Sequence, residues 1–336
     1  MRTRITLAAL ALLAVSCSEN EKASTPEVPV NAKAIHIGQS VQGLTRAVVE
    51  DGANVTATVL MCDGETENWA GFVAKKTNDI NNGALEGRAN TATASFKAGS
   101  GKEVSLNPTL YYDNKNTSTK SHLAAVAPTG TLAGTVVTMN NVDGQQDVMY
   151  AKTVNAGTSA TPESTISLSF EHLTTQLNFE VKMTKASSNG AWTGQTVTVK
   201  EIKVQSVQLP QAVNAADGVV TWSAASPLDL SEVNNPVLST TATRIGSPIM
   251  IKGESFVKLD VTLTVNGADL LFSNVPIKDA TSSSSSDLAT VTGRSHLVTL
   301  NVTEPETASG SGVAIINVTA TVAPWKVGTP GSAELK

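Results

Sequence analysis

The residues of this chain that could do chemistry are few and far apart. Its four histidines, His36, His122, His172 and His296, are dispersed over 336 positions. No His-x-x-x-His pair occurs, and no cluster of Cys, Asp or Glu stands beside any of them at the spacing a metal ion needs. Ala98-Gly99-Ser100-Gly101-Lys102-Glu103 has the look of a phosphate-binding loop. The first glycine of such a loop would fall at Phe96, however, and Glu103 stands where a Ser or Thr hydroxyl must reach the magnesium ion. There is no Gly-x-Ser-x-Gly turn to expose a serine nucleophile and no Asp-x-Asp-x-Asp calcium loop. The residue types therefore predict a non-enzyme, with no catalytic residue, no metal site and no cofactor.

The two cysteines point to processing rather than catalysis. Arg2 and Arg4 precede an apolar stretch, Ile5–Val15, that is too short to span a bilayer as a permanent helix. It ends in Leu13-Ala14-Val15-Ser16-Cys17, small residues directly before a cysteine, as in a bacterial lipobox. The expectation is a signal peptide over 1–16 and a lipid on the Cys17 thiol; the plainer alternative is an ordinary secretory signal in which Cys17 is accidental. Residues 18–29 are polar and Pro-bearing and read as a tether. No later stretch approaches the length of an apolar membrane span, so the mature chain reads as anchored rather than spanning. The acidic run Ser18-Glu19-Asn20-Glu21 after Cys17 resembles the surface-export signal of Bacteroidetes lipoproteins, which implies the outer membrane at the cell surface. Cys62 closes an apolar run, Val59-Leu60-Met61, and has only acids after it; a buried, inert thiol is expected.

The elements that must carry these residues are strands. Charged residues make up 16% of the chain and aromatics 4%, while 40% is hydrophobic, so a core is available and the polar surface falls to Thr, Ser, Asn and Gly. Such a composition favours strands over helices. The net charge of −5 argues against a nucleic-acid binder, which normally needs a basic patch. Apolar residues alternate with period two in Leu177, Phe179, Val181 and Met183, in Leu259 to Val265, in Val298 to Val302, and in Ile316, Val318, Ala320 and Val322. Each series is a half-buried strand by the pleat. Asn266-Gly267 between two such runs predicts a two-residue hairpin. Val197 and Val199 share one parity, Ile202 and Val204 the other, and Val207 returns, which predicts a bulge or a strand that changes sheets. The polar, Gly-bearing stretch 185–193 reads as a domain boundary, and Ser282–Ser286 as a solvated loop tip.

Several ordered features resemble the fimbrillin family of Bacteroidales, the subunits of pili assembled from surface lipoproteins. They are the lipobox with its acidic tether, Gly43-Leu44-Thr45-Arg46-Ala47, Ala125-Val126-Ala127-Pro128, Asp147-Val148-Met149-Tyr150-Ala151, Phe170-Glu171-His172-Leu173-Thr174-Thr175-Gln176-Leu177, and a terminal strand ending in Val322-Ala323-Pro324-Trp325. The Pro128 strand departs from the family in lacking aromatics. The resemblance implies an all-β chain of two transthyretin-like Greek-key β-sandwich domains in tandem, here 47–185 and 186–336, preceded by a lipidated tether and removable first strand over 17–46. It also implies cleavage between Arg46 and Ala47 by an Arg-specific surface protease, and polymerisation with copies or siblings of itself by strand exchange, supporting adhesion. The unprocessed segment is suited to removal, because Ile35, Ile37 and Val41 share one parity, with Gln39 interrupting. The plainer alternative for Arg46 is an exposed basic residue in a linker. Ile316, Val318, Ala320 and Val322 are the donor-strand candidates; the same pattern suits an ordinary last strand of the second domain. His172 reads as a hydrogen-bonded structural residue. Loss of 1–46 removes five basic and three acidic residues, leaving 290 residues with a net charge of −7.

Two other readings compete. One is a surface glycan-binding lipoprotein of a polysaccharide-uptake system, whose aromatic platform would have to come from Trp69, Trp192, Trp222, Trp325 or the Tyr111-Tyr112 pair. The other is a secreted hydrolase, which the missing motifs disfavour.

Overall fold

Alternating side chains need two environments, and the chain meets that need with sheets covered on one face or on both. The structure, a computed structural model, describes residues 28–41, 53–98, 102–185, 190–280, 286–305 and 315–324. Every regular element among them is a β-strand, and the sheets curl over interior cores in the manner of β-sandwiches.

In the first eight-stranded sheet the order is Lys102–Glu103, Gly38–Val41, Ser167–His172, Met149–Asn155, Ser121–Ala127, Asn54–Asp63, Thr91–Lys97 and Ser105–Asn107. Its two outermost strands are neighbours in sequence, separated by Val104 alone. The chain passes from one edge to the other at that residue, so the sheet must wrap around its contents. Those contents are the first core, which includes Ile35, Ile37, Leu110, Leu123, Leu168 and the stacked pair Phe96–Phe170, with ring centroids 5.2 Å apart.

The second eight-stranded sheet runs Ser226–Asp229, Val197–Val207, Lys258–Val265, Ala268–Asp279, Ile315–Pro324, Arg294–Thr303, Thr175–Lys185 and Thr243–Ile251. Leu177, Phe179 and Val181 pack in its core with Val199, Leu263, Val298 and Leu300. Residues 175–185 therefore belong to this second sheet, and the changeover between the two cores falls at Leu173–Thr174, not after residue 185. The turn at 190–193 lies inside the second lobe. Its polar, glycine-bearing sequence reflects a loop between two strands of one sheet, which composition alone cannot tell from a linker.

A four-stranded sheet bridges the lobes. Thr131–Ala133 and Val136–Thr138 come from the first lobe, Pro210–Asn214 and Val220–Trp222 from the second, and they join through antiparallel pairing of Val137 with Val213. Beneath it lies a third core, built from Leu60, Val126, Val137, Met139, Val148, Val213 and Ala215. The strand Ser121–Ala127 is buried at every position. Leu123, Ala125 and Ala127 face the first core, while Val126 faces the third.

Two local expectations reappear as geometry. Asn266 and Gly267 both have positive φ (48° and 84°) and join Val265 to Ala268, the backbone of a twisted two-residue hairpin. Val197–Val207 is one strand with a register shift between Val199 and Glu201. That bulge, with a second register shift between Val204 and Val207, lets Val197, Val199, Ile202, Val204 and Val207 all face inward.

Gly218, at φ +76°, turns the Val213–Val220 hairpin; a Cβ there would stand 2.7 Å from the Tyr150 ring. Gly218→Ala is expected to lower stability by about 1–3 kcal/mol through left-handed backbone strain and this clash. Urea unfolding with an unchanged m value is the check, and a midpoint equal to wild type would show that the hairpin does not rest on Tyr150.

Candidate assembly site

The first described strand segment is held by its edges and by three side chains. Ile35 N–H donates to the Leu110 carbonyl at 2.8 Å, Gly38 N–H to the Ile166 carbonyl at 2.8 Å, and Val104 N–H donates back to the Ile37 carbonyl at 3.0 Å. Gly38–Val41 runs parallel to Ser167–Phe170 on one side and antiparallel to Lys102–Glu103 on the other. Ile35 and Ile37 are buried in the first core, and Gln39, also buried, donates from Nε2 to the Lys97 carbonyl at 2.7 Å. The interruption of the apolar series by Gln39 is thus a polar anchor on the same inward face. Withdrawing the segment would bare the backbone edge of Ser167–His172, a template for another strand, and two Ile-sized slots.

The other end of the chain is placed differently. Ile315–Pro324 lies inside the second sheet, antiparallel to Arg294–Thr303 over its whole length. On its other side only Ile277–Asp279 pairs with it, in parallel, opposite Val318–Ala320. Val318 and Ala320 are buried in the second core, and Ile316 and Val322 lie in the same strand. The strand is seated in its own domain. Cys17, Arg46 and Ala47 lie outside the described residues.

The two motifs that sequence treats as separate meet at one hydrogen bond. His172 Nδ1 stands 2.8 Å from Asp147 Oδ1, with both side chains buried. Antiparallel pairing of Met149 with His172 brings them together, and Leu173 N–H donates to the Val148 carbonyl at 2.9 Å. His172 is therefore a positioned structural histidine at the seam between the first and third cores. Sequence reasoning marked both motifs but had no signal that one bonds the other, because the pairing depends on strand register.

His296 is fully buried, and its Nε2 accepts the Val291 N–H at 3.2 Å. Desolvation lowers its pKa to about 4, with the Asp279 carboxylate opposing weakly. Cys62 is a free, buried thiol, pushed up by that burial. Of the aromatic candidates, Trp192, Tyr111 and Tyr112 are buried. Trp69 is half-buried, edge-on to Phe72, and Trp222 is half-buried beneath Lys252. Trp325 lies outside the described residues. Among the described residues, no three His, Cys, Asp or Glu side chains group closely enough to hold a metal ion.

A family model described as Fimbrillin-like matches residues 45–325. The chain belongs to the fimbrillin-like family. No curated protein matches it. Solved structures similar to this fimbrillin-like chain include proteins assigned to cell adhesion from Bacteroides uniformis ATCC 8492 and Bacteroides ovatus ATCC 8483. The first is 17% identical with a TM-score of 0.48, covering 87% of this chain and 98% of that one. The second is 16% identical with a TM-score of 0.48, covering 89% and 99%. The tip fimbrial protein Mfa3 of Porphyromonas gingivalis, C-terminally truncated, is 11% identical with a TM-score of 0.40, covering 86% and 100%.

Two measurements test the electrostatics of this fimbrillin-like chain. Asp147→Ala or His172→Ala removes one side of a buried hydrogen bond and is expected to cost about 1–3 kcal/mol each. The double variant should cost clearly less than the sum, and an additive cycle would deny the coupling. For His296 the unfolded state takes up a proton near pH 6.5, whereas the native state does so only near 4. Stability should therefore fall as pH drops from 6.5 to 4, by up to roughly 3 kcal/mol, and level off below. Denaturation curves of His296→Gln across that window should be flatter than wild type.

Proposed function

We propose that this protein is a structural, non-enzymatic subunit of a cell-surface pilus. It is exported as a lipoprotein acylated at Cys17, cut between Arg46 and Ala47, and polymerised with other pilus subunits by donor-strand exchange. The observation that carries the reading is the Fimbrillin-like match over residues 45–325, which begins next to the Thr45-Arg46-Ala47 site. The outer membrane is its first anchor, through the lipid, and an Arg-specific surface protease is the partner that frees it.

The way the first strand is held supports this reading. Full burial of an Ile is worth about 1.5–3 kcal/mol. Ile35 and Ile37 together thus hold the segment by an amount that a replacement strand with two apolar residues at i and i+2 can match. The bare edge supplies main-chain hydrogen bonds to any incoming strand and the slots supply its selectivity. Arg46 follows Val41 by five residues, so cleavage there separates the whole strand from the body of the domain. Ile315–Pro324 is the donor by its pattern of Ile316, Val318, Ala320 and Val322; its one full-length edge and one short edge set what donation must break. Adhesion to a host or bacterial surface follows from the filament's exposure.

Mass spectrometry of filaments sheared from the cell surface should find a mature chain beginning at Ala47. Arg46→Ala should retain the lipidated form and abolish the filament ladder on gels. Recovery of only uncut, lipidated chain from wild-type filaments would remove the stalk-subunit reading.

A further inference from the structure

Three clefts, of about 460, 550 and 240 Å³, converge on the connection between Ser121–Ala127 and Thr131–Ala133 in the first lobe. The first of these has the more specific lining. Thr58 pairs across the sheet with Thr93, and Thr93 with Asn107, so the three side chains form a row on the outer face of three adjacent strands. Neighbours in such a row are about 5 Å apart. Thr131, Lys76 and Leu132 also line the cleft and add a hydroxyl, a positive charge and an apolar group. The volume falls within the range of ligand sites, roughly 300–1,000 Å³.

Lys76, Thr93, Asn107 and Thr131 are exposed, and Thr58 is buried at the base of the row. Thr58 Oγ1 accepts the Gly130 N–H at 3.4 Å, which leaves its own proton for a ligand, since a hydroxyl donates once and accepts twice. Among the described residues, the side chains of Lys76, Thr93, Asn107 and Thr131 engage in no hydrogen bond or ion pair. An outward row of hydroxyl and amide groups matches the alternating donors and acceptors of a sugar chain, whose repeat along the chain is close to the strand spacing. The lone ammonium adds a preference for a carboxylate.

We propose that this cleft is a binding site for an acidic, uronate-containing oligosaccharide, recognised by hydrogen bonds from Thr58, Thr93, Asn107 and Thr131 and by Lys76 on the carboxylate. It needs no aromatic platform and does not depend on the pilus reading. Its single-site affinity is weak, and repetition of the subunit along a filament would raise the avidity.

The test is saturation-transfer NMR on the purified, unassembled protein, with hyaluronan tetrasaccharide as the acidic probe and maltotetraose as the neutral one. Binding of the acidic probe is expected with a dissociation constant on the order of 1 mM. Lys76→Ala and Thr93→Val should each weaken it roughly fivefold or more. Both positions are exposed, so unfolding midpoints should stay at the wild-type value, separating lost contacts from lost fold. The proposal is overturned by no signal at about 10 mM hyaluronan tetrasaccharide, by unchanged affinity in both variants, or by equal binding of maltotetraose. Because the measurement uses isolated subunits, its outcome is independent of cleavage at Arg46 or filament formation.

Discussion

The constraint on which the rest of the molecule depends is the double burial of Ser121–Ala127. A strand covered on both faces cannot alternate polar with apolar, and this one does not: after Ser121 and His122 it runs Leu-Ala-Ala-Val-Ala. The small residues admit two layers of packing at close approach. On one side sits the wrapped sheet's own core, and on the other the core beneath the bridging sheet. Because that second layer is made partly by Val213 and Ala215 from beyond the changeover at Leu173–Thr174, the two lobes share a packed seam instead of hanging on a linker. The Asp147–His172 bond lies in that seam, between neighbouring strands whose next residues, Val148 and Leu173, enter or pack against the third core. For a subunit in a filament, such a seam resists bending at the middle of the chain.

The two ends of the described chain are held by different means. Gly38–Val41 is short, flanked on one side by a two-residue strand, and anchored mainly by Ile35, Ile37 and Gln39. Ile315–Pro324 is long, central and paired end to end with Arg294–Thr303. Cooperative pairing over ten residues is far harder to undo than an edge of four. The attachment of Gly38–Val41 is the weaker of the two. Val318 and Ala320 tie that last strand into the second core.

Buried histidines show how little of the site's electrostatics a linear reading contains. His172 and His296 look alike in sequence, each in a polar-flanked strand segment. In the fold one faces a carboxylate at 2.8 Å and the other only a backbone N–H, with its pKa drawn down by desolvation. The difference comes from partners 25 and 5 residues away, brought near by register and by a tight turn respectively. The Thr58–Thr93–Asn107 row is likewise invisible along the chain, because no two of its members lie within one strand.

Local chemistry determined a great deal from the sequence alone. Period-two alternation set which faces of Leu177–Val181, Leu259–Val265 and Val298–Val302 turn inward, and parity breaks at Val199–Ile202 marked a real bulge. Asn266-Gly267 specified its own turn, and the ordered motifs pointed to the family that the match over residues 45–325 identifies. Tertiary structure alone decided which strands are neighbours. It put 175–185 in the second sheet, seated the last strand between two others, built a bridging sheet from two distant hairpins, and joined Asp147 to His172. The physical reason is that a pleat dictates a side chain's face from its own residue types. The choice of partner strand is made by the sum of contacts across the whole sheet, and no local window contains that sum.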